Sequence, residues 1–162
     1  MELIRLRKNC REHDRLRSAV CRWFYDWWGV KAGCPFEQVE EFVGNSQQDG
    51  SRLPQLFVAV DDGTVVGVFA ISMSDDLVSR PDVYPWLANV YVAEDRRGQG
   101  VGRFMLERVR YAMKEIGLSE LYLYTHHVGL YERFGWEFVE NVNTYKRDSP
   151  VERLYRLRIG KE

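Results

Sequence analysis

The fold of this chain is decided by the stretch VAEDRRGQGVG, residues 92–102. It joins an apolar, β-rich segment, residues 86–93, to an amphipathic segment, residues 101–116. A central strand, a glycine-rich loop and a long helix are therefore predicted here. Glycine lets the backbone turn tightly and approach a ligand, and the first amides of a helix have no partner within the helix. The loop is thus expected to bind an anion such as a diphosphate.

Two common phosphate-binding loops fit this stretch poorly. A dinucleotide fingerprint requires glycine three residues after Gly100, but Arg103 stands there. Arg103 therefore weakens the hypothesis that the loop binds a dinucleotide. A Walker loop requires lysine and then serine or threonine after Gly102, where Arg103 and Phe104 stand. A loop that acts only as a structural turn remains an alternative.

Upstream of the loop, the sequence predicts two helices and a hairpin. A helix is expected to start at Asn9, with Glu12 three residues on as in a capping box, and to end at Gly29. A second helix is expected to start at Pro35 and to close at Gly44. The other predicted elements are strands at residues 3–7, 56–60, 64–72, 121–125, 136–140 and 154–159, and a short helix at 128–134.

This element order predicts an α/β (α+β) fold. We expect a mixed central sheet of six to seven strands with about four helices packed on both faces. Residues 86–125 should form a right-handed parallel crossover. The length of 162 residues predicts one domain that spans residues 1–162.

Composition narrows the function classes. The chain has 23 basic and 24 acidic residues, which gives no case for nucleic-acid binding, and no apolar run is long enough to span a membrane. The 3 cysteines lack metal-site spacing, so neither a metal site nor a disulfide framework is expected. Reduced cysteines suit the cytoplasm, which is the expected location. Residues 34–95 are strongly acidic and residues 96–162 basic, which suggests two ligands of opposite charge or merely a solvated face.

Two motifs resemble the GNAT N-acetyltransferase superfamily. The loop matches the family's Arg/Gln-x-x-Gly-x-Gly/Ala pattern at Arg97, Gly100 and Gly102. Downstream, LYERFGW at residues 130–136 is similar to the family's Leu-Tyr-x-x-x-Gly-Phe segment, with Trp136 in place of phenylalanine. The resemblance implies an enzyme that transfers an acetyl group from acetyl-CoA to an amine, without a metal.

The resemblance also implies the cofactor contacts. Backbone amides of the loop would hold the diphosphate, and the edge of the central strand would pair with the pantetheine arm. The N–H of Val92 would polarise the thioester carbonyl, and a bulge or splay is predicted near Val92. The residues implied to bind the cofactor are Val90, Tyr91, Val92, Arg97, Gly98, Gln99, Gly100, Val101, Gly102, Arg103 and Tyr131.

Tyr131 matches the family position of the general acid that protonates the leaving thiolate. Its phenol has an ordinary pKa near 10, so it is protonated at neutral pH. The alternative is a packing residue whose hydroxyl binds the sulfur without proton transfer. The general base stays open, and the candidates are His126, His127, Glu94, Asp75, Asp76 and a chain of waters.

The acceptor is expected to be a small cationic amine, held by aromatic rings and carboxylates. The residues assigned to it are Tyr84, Trp86, Asn89 and His126. The alternatives are an N-terminal or lysine acetyltransferase that acts on a peptide amine, and a non-catalytic module that senses acyl-CoA. Homodimers are common in the family, so the resemblance makes a homodimer a candidate assembly.

Overall fold

The computed structural model describes residues 1–46, 50–75, 77, 79–143 and 151–160. Seven strands form one sheet in the order β1-β2-β3-β4-β5-β7-β6. Among these described strands, β4 and β5 pair in parallel and the other neighbours pair antiparallel. The predicted mixed sheet and its parallel crossover are therefore confirmed. The strands are β1 Glu2–Arg5, β2 Gln55–Asp61, β3 Thr64–Ser72, β4 Trp86–Val92, β5 Glu120–Thr125, β6 Glu137–Val142 and β7 Glu152–Arg158.

Helices cover both faces of the sheet, as predicted. On one face, α4 buries Val101, Met105 and Val109 against apolar side chains of β2, β3 and β5. On the other face, α1 and α3 pack over the half of the sheet formed by β1, β2 and β3. Burial of these apolar side chains is the main stabilising term. The helices are α1 Asp14–Phe24, α2 Val30–Ala32, α3 Phe36–Asn45 and α4 Val101–Ile116.

The predicted start of the first helix is wrong. Asn9 adopts a left-handed conformation with φ 63, which a helix cannot contain. A 3-10 turn, Arg11–His13, follows before α1 begins at Asp14, and neither segment has a side-chain cap. Asn9 and Glu12 therefore do not form a capping box.

The predicted end of that helix is also wrong. Instead of stopping at Gly29, the chain widens into a π-helix, Tyr25–Gly29, and continues into α2. Gly33 ends the helix with φ 67, a conformation that favours glycine. A π-helix inserts a residue into the helical turn and is frequent at functional sites.

Other boundaries differ less. Helix α3 extends one residue beyond Gly44, to Asn45. The helix predicted at 128–134 is a single 3-10 turn, Tyr131–Phe134, which Gly135 ends with φ 81. Trp136 precedes β6 and is buried in the core.

All three cysteines are free thiols. Among the residues that the structure describes, no helix is both long enough and apolar enough to cross a bilayer. The same residues contain no group of three or more His, Cys, Asp or Glu side chains that could hold a metal ion.

Candidate active site

The sheet opens between β4 and β5. These strands are in register only at Trp86 and Tyr122, near the start of each, and diverge beyond that point. On its other side β4 carries a bulge: Ala88 pairs with Ala70 and Tyr91 with Val68, so two residues of β4 oppose one of β3. The predicted bulge or splay is therefore confirmed, with the bulge at Asn89 and Val90.

The splay leaves one edge of β4 unpaired. The amide of Ala93 donates to the carbonyl of Val66, so it points towards β3. Because successive residues of a strand point to alternate sides, the N–H and C=O of Val92 point away from β3 and into the opening. A chain of amides laid along this edge would find the Val92 N–H as a donor, and a Val92 carbonyl that also accepts from the Nε of Arg97 at 3.3 Å.

The glycine-rich loop ends at α4. Gly98 and Gly100 have φ 75 and 85, which only glycine adopts easily, and Gly100 is the residue before the helix. No side chain caps this helix, and its first internal bond runs from the Phe104 amide to the Gly100 carbonyl. The amides of residues 101–103 therefore have no acceptor within the helix, and free amides at a helix start are suited to binding an anion.

The arginines near the loop have different surroundings. Arg96 pairs with Asp61 at 3.2 Å. The Nε of Arg97 donates to the Val92 carbonyl at 3.3 Å, and its guanidinium lies over the ring of Tyr91. Arg103 is exposed on α4 and pairs with Glu107 at 2.7 Å. Of the three arginines, Arg103 is the one that lies within the first turn of α4, and its side chain is at the solvent surface.

A groove runs between α4 and the turn that carries Tyr131, with Val90 and Val92 at its base. We call it the α4 groove, and its volume is about 860 Å³. Its size, its unpaired strand edge and its uncapped helix start fit a ligand with a diphosphate at one end and an amide-rich arm at the other. It is lined by Val90, Val92, Gly102, Arg103, Leu106, Glu107, Arg110, His127, Leu130, Tyr131, Arg133 and Phe134.

A second groove of about 540 Å³ shares Val90 and Val92 with the first. We call it the π-helix groove, since Asp26 and Trp27 of the π-helix form its wall. The π-helix packs on the sheet face opposite α4, so the two grooves approach the same edge of β4 from opposite faces. The π-helix groove is lined by Asp26, Trp27, Lys31, Val90, Tyr91, Val92, Glu94 and Arg97.

Tyr131 is 9% exposed and lines the α4 groove. Its ring lies edge-on to Trp136, with 6.0 Å between centroids, and 6.2 Å from the ring of Tyr155. Burial raises the pKa of the Tyr131 phenol above its ordinary value near 10. The hydroxyl therefore carries its proton at neutral pH.

The residues predicted to bind the acceptor are not brought together in one groove. Trp86 is 2% exposed and packs against Tyr122 and Tyr124, whereas Tyr84 is exposed. Asn89 is half-buried at the bulge with φ 52, and the ring of His126 lies 4.4 Å from that of His127. None of the four lines either groove.

The candidates for the general base are also dispersed. Glu94 lines the π-helix groove and His127 the α4 groove. Asp75 lines neither groove, and Asp76 lies outside the described residues. Each assignment stays a prediction.

The sequence reading missed one wall of each groove. Leu106 and Arg110 lie on the face of α4 that continues from Gly102 and Arg103, and this spacing of three to four residues could have identified them. Asp26 and Lys31 had no such signal, because the π-helix shifts their direction relative to an α-helical pattern.

Comparisons with known proteins identify the family and the fold of this chain. The family model described as an acetyltransferase (GNAT) domain matches residues 52–138. An uncharacterised N-acetyltransferase of Chlorobaculum tepidum is 27% identical over 89 residues, which cover 55% of this chain and 54% of that protein. The matching region is thus about half the length of this curated relative.

Solved structures share the fold across nearly the whole chain. An aminoglycoside 6′-N-acetyltransferase complexed with coenzyme A superposes with a TM-score of 0.71 at 14% identity, covering 100% of this chain and 99% of that one. A variant of the spermidine N-acetyltransferase from Vibrio cholerae gives a TM-score of 0.67 at 15% identity, covering 98% and 95%.

The protein is of the α/β class, with a mixed sheet that splays beside a helix whose first turn has no side-chain cap. Because the family model covers more than half of the residues, the chain belongs to the GNAT acetyltransferase family.

Proposed function

We propose that this protein is an N-acetyltransferase that moves the acetyl group of acetyl-CoA to a small cationic amine. The observation that carries the proposal is the meeting of two grooves, from opposite faces of the sheet, at the unpaired edge of β4. One groove offers amides for a diphosphate, and the other offers two carboxylates and two aromatic rings beside Lys31 and Arg97. This arrangement suits a transferase, because transfer is fast when the two reactants are held close together in the right orientation.

The α4 groove is assigned to acetyl-CoA, which supplies an activated thioester when bound. The amides of residues 98–103 would hold its diphosphate, and Arg103 would add positive charge at the rim. Val92 would pair with the amide-rich arm through its main-chain groups. Its N–H would also stabilise negative charge on the thioester oxygen.

Tyr131 is proposed to hold a proton at its hydroxyl for the departing sulfur. A thiol has an ordinary pKa near 8.5, below that of a buried phenol, so complete proton transfer to a free thiolate is uphill. The hydroxyl would therefore act mainly as a hydrogen-bond donor while charge develops on the sulfur. Tyr131→Phe should then lower turnover about 100-fold.

The π-helix groove is assigned to the acceptor amine. Asp26 and Glu94 provide negative charge, and Trp27 provides an aromatic face for a cation. Arg97 is largely engaged, since it contacts the Val92 carbonyl, the Tyr91 ring and, at 3.9 Å, Glu94. The relatives whose printed names include aminoglycoside and spermidine acetyltransferase activities support a small amine for this chain.

The test is release of free thiol from acetyl-CoA with a panel of amines: spermidine, an aminoglycoside, lysine and a peptide with a free N-terminus. Release with a small amine supports the proposal, and release only with the peptide supports a protein acetyltransferase. Calorimetry with coenzyme A is run beside it. Binding without release from any amine would identify a sensor, and no binding would overturn the cofactor assignment.

The remaining expectations are also proposals. We propose that residues 1–162 form one GNAT domain. We also propose a cytoplasmic location, which the free thiols of the three cysteines suit. A homodimer is the proposed assembly, and sedimentation would test it.

A further inference from the structure

The turn that carries Tyr131 is too short to hold itself in place. Tyr131–Phe134 is a single 3-10 turn without a side-chain cap, and glycines with positive φ lie on both sides, at Gly129 and Gly135. An isolated turn of this length is unstable, because its nucleation fixes several backbone dihedrals for few hydrogen bonds. Other contacts must therefore set the direction of the Tyr131 side chain.

Glu132 connects this turn to the core of the sheet. Its carboxylate accepts a hydrogen bond from the hydroxyl of Tyr155 at 2.6 Å. The same hydroxyl accepts from the Nε of Arg153 at 2.8 Å, and the Arg153 guanidinium lies 4.0 Å from the Glu132 carboxylate. The bond from Tyr155 holds the pKa of Glu132 below its ordinary range, so the carboxylate is ionised and the bond is charge-assisted.

The anchor of this chain of bonds is rigid. Tyr155 is fully buried in the middle of β7, and β7 pairs with both β5 and β6. The guanidinium of Arg153 also lies 4.1 Å above the ring of Phe138, which limits its movement. The hydroxyl that binds Glu132 is therefore presented from a fixed point in the sheet.

The other end of the turn is held from α4. Arg110 donates to the carbonyl of Arg158 and lies 3.5 Å from the carbonyl of Gly135. The turn is thus connected to β7 at Glu132 and to α4 at Gly135. Tyr131 directly precedes Glu132 and lines the α4 groove.

We propose that Glu132, held by Tyr155 and Arg153, is a positioning residue that fixes the Tyr131 hydroxyl in the α4 groove. This inference rests on the proposed function, because the proposed function gives Tyr131 its role in turnover. Glu132 lines neither groove, so it acts through the backbone that it shares with Tyr131.

The experiment compares Tyr155→Phe and Glu132→Gln with wild-type protein. Each should lower kcat about tenfold with the most active amine of the panel, while the Kd for coenzyme A stays within about twofold. Tyr111→Phe and Glu137→Gln are the matched controls. Tyr111 makes a similar bond of 2.8 Å to Glu115 on the exposed face of α4, and Glu137 pairs with Arg156 at 3.3 Å. Both controls should retain the wild-type kcat.

A double-mutant cycle separates positioning from general stabilisation. If Glu132 acts through Tyr131, Glu132→Gln should have no further effect on kcat in a Tyr131→Phe background. A loss of the same factor in both backgrounds would overturn the proposal, as would wild-type kcat in both Glu132→Gln and Tyr155→Phe. If Tyr131→Phe itself retains full turnover, the catalytic role of Tyr131 fails and the positioning role fails with it.

A second readout needs no acceptor. In protein with ¹³C-labelled tyrosine rings, the Tyr131 signal is assigned by its loss in Tyr131→Phe and followed as coenzyme A is added. Glu132→Gln should change the shift that coenzyme A induces, without a change in Kd. An induced shift identical to that of wild-type protein would show that Glu132 does not position Tyr131.

Discussion

The two seams of β4 contrast sharply. Towards β3, β4 pairs from Trp86 to Val92, and the seam is interrupted only by the bulge. Towards β5, the register ends after Trp86 and Tyr122, and two grooves occupy the opening. The same strand thus provides structural stability on one side and unpaired main-chain groups on the other. This difference between the two sides of β4 indicates that the candidate active site lies where β4 and β5 stop pairing.

The largest expected effect concerns the open seam. Gly100→Val forces a branched side chain into a left-handed conformation at the start of α4, where the free amides lie. We expect coenzyme A binding to weaken about 100-fold, measured by calorimetry. Gly117→Val is the matched control, since Gly117 ends the same helix with a similar φ of 84. Gly117→Val should lose comparable stability and keep its affinity for coenzyme A. Equal losses of affinity in both variants would contradict the binding of coenzyme A by the first amides of α4.

The bulge gives the next largest effect. Asn89 has φ 52, which a β-branched residue tolerates poorly, so Asn89→Val should cost about 1–2 kcal/mol of unfolding free energy and also lower turnover. Asp62→Val imposes similar strain in the β2–β3 hairpin, where φ is 49. Urea unfolding and thiol release on both variants check this. Turnover should fall only for Asn89→Val, and a fall for both variants would show that the loss follows stability alone.

A third comparison probes packing beneath α4. A Cβ at Gly67, on the closed seam, would lie 2.8 Å from the Met105 sulfur and 3.1 Å from Val101, so Gly67→Ala should cost about 1 kcal/mol. Met105 is flexible, which keeps the cost low. A Cβ at Gly102, on the open seam, would meet only Val92 at 3.8 Å. Gly102→Ala should therefore leave stability equal or slightly higher in urea unfolding, and a loss as large as that of Gly67→Ala would contradict this packing.

The smallest effect is on titration. Burial raises the pKa of Tyr131, so the folded state binds its proton more tightly than the unfolded state. The associated stability is fully present below pH of about 10 and is lost as pH rises through the folded-state pKa. Tyrosinate absorbance should show one late-titrating tyrosine fewer in Tyr131→Phe. If the high-pH part of this absorbance titration is the same in Tyr131→Phe and in wild-type protein, Tyr131 titrates as an exposed phenol.

Much of the fold could be predicted from local signals. The apolar strand at residues 86–93, the glycines after it and the periodicity of residues 101–116 specify a strand, loop and helix without help from distant residues. The bulge and splay near Val92 were expected only from the family resemblance. The sequence does not show where β4 and β5 separate, because separation depends on pairing between segments far apart in the chain.

The errors arise where tertiary contacts override local patterns. Asn9 looks like a helix cap but adopts a left-handed turn, and Gly29 looks like a helix end but lies in a π-helix. A Cβ at Gly29 would lie 3.0 Å from Tyr25 and 3.2 Å from Val39, so close packing against α3 explains this glycine. Trp86 packs with Tyr122 and Tyr124, and its predicted contact with the acceptor stays a prediction. Aromatic residues in a sequence do not reveal which of them are buried.

The central claim is that the unpaired edge of β4 and the first amides of α4 together hold coenzyme A. Amide hydrogen exchange, recorded with and without coenzyme A, tests it most directly. The account predicts slower exchange at Val92 and at residues 98–103, with exchange in β1 and β6 unchanged. Binding of coenzyme A without protection at these amides would contradict it.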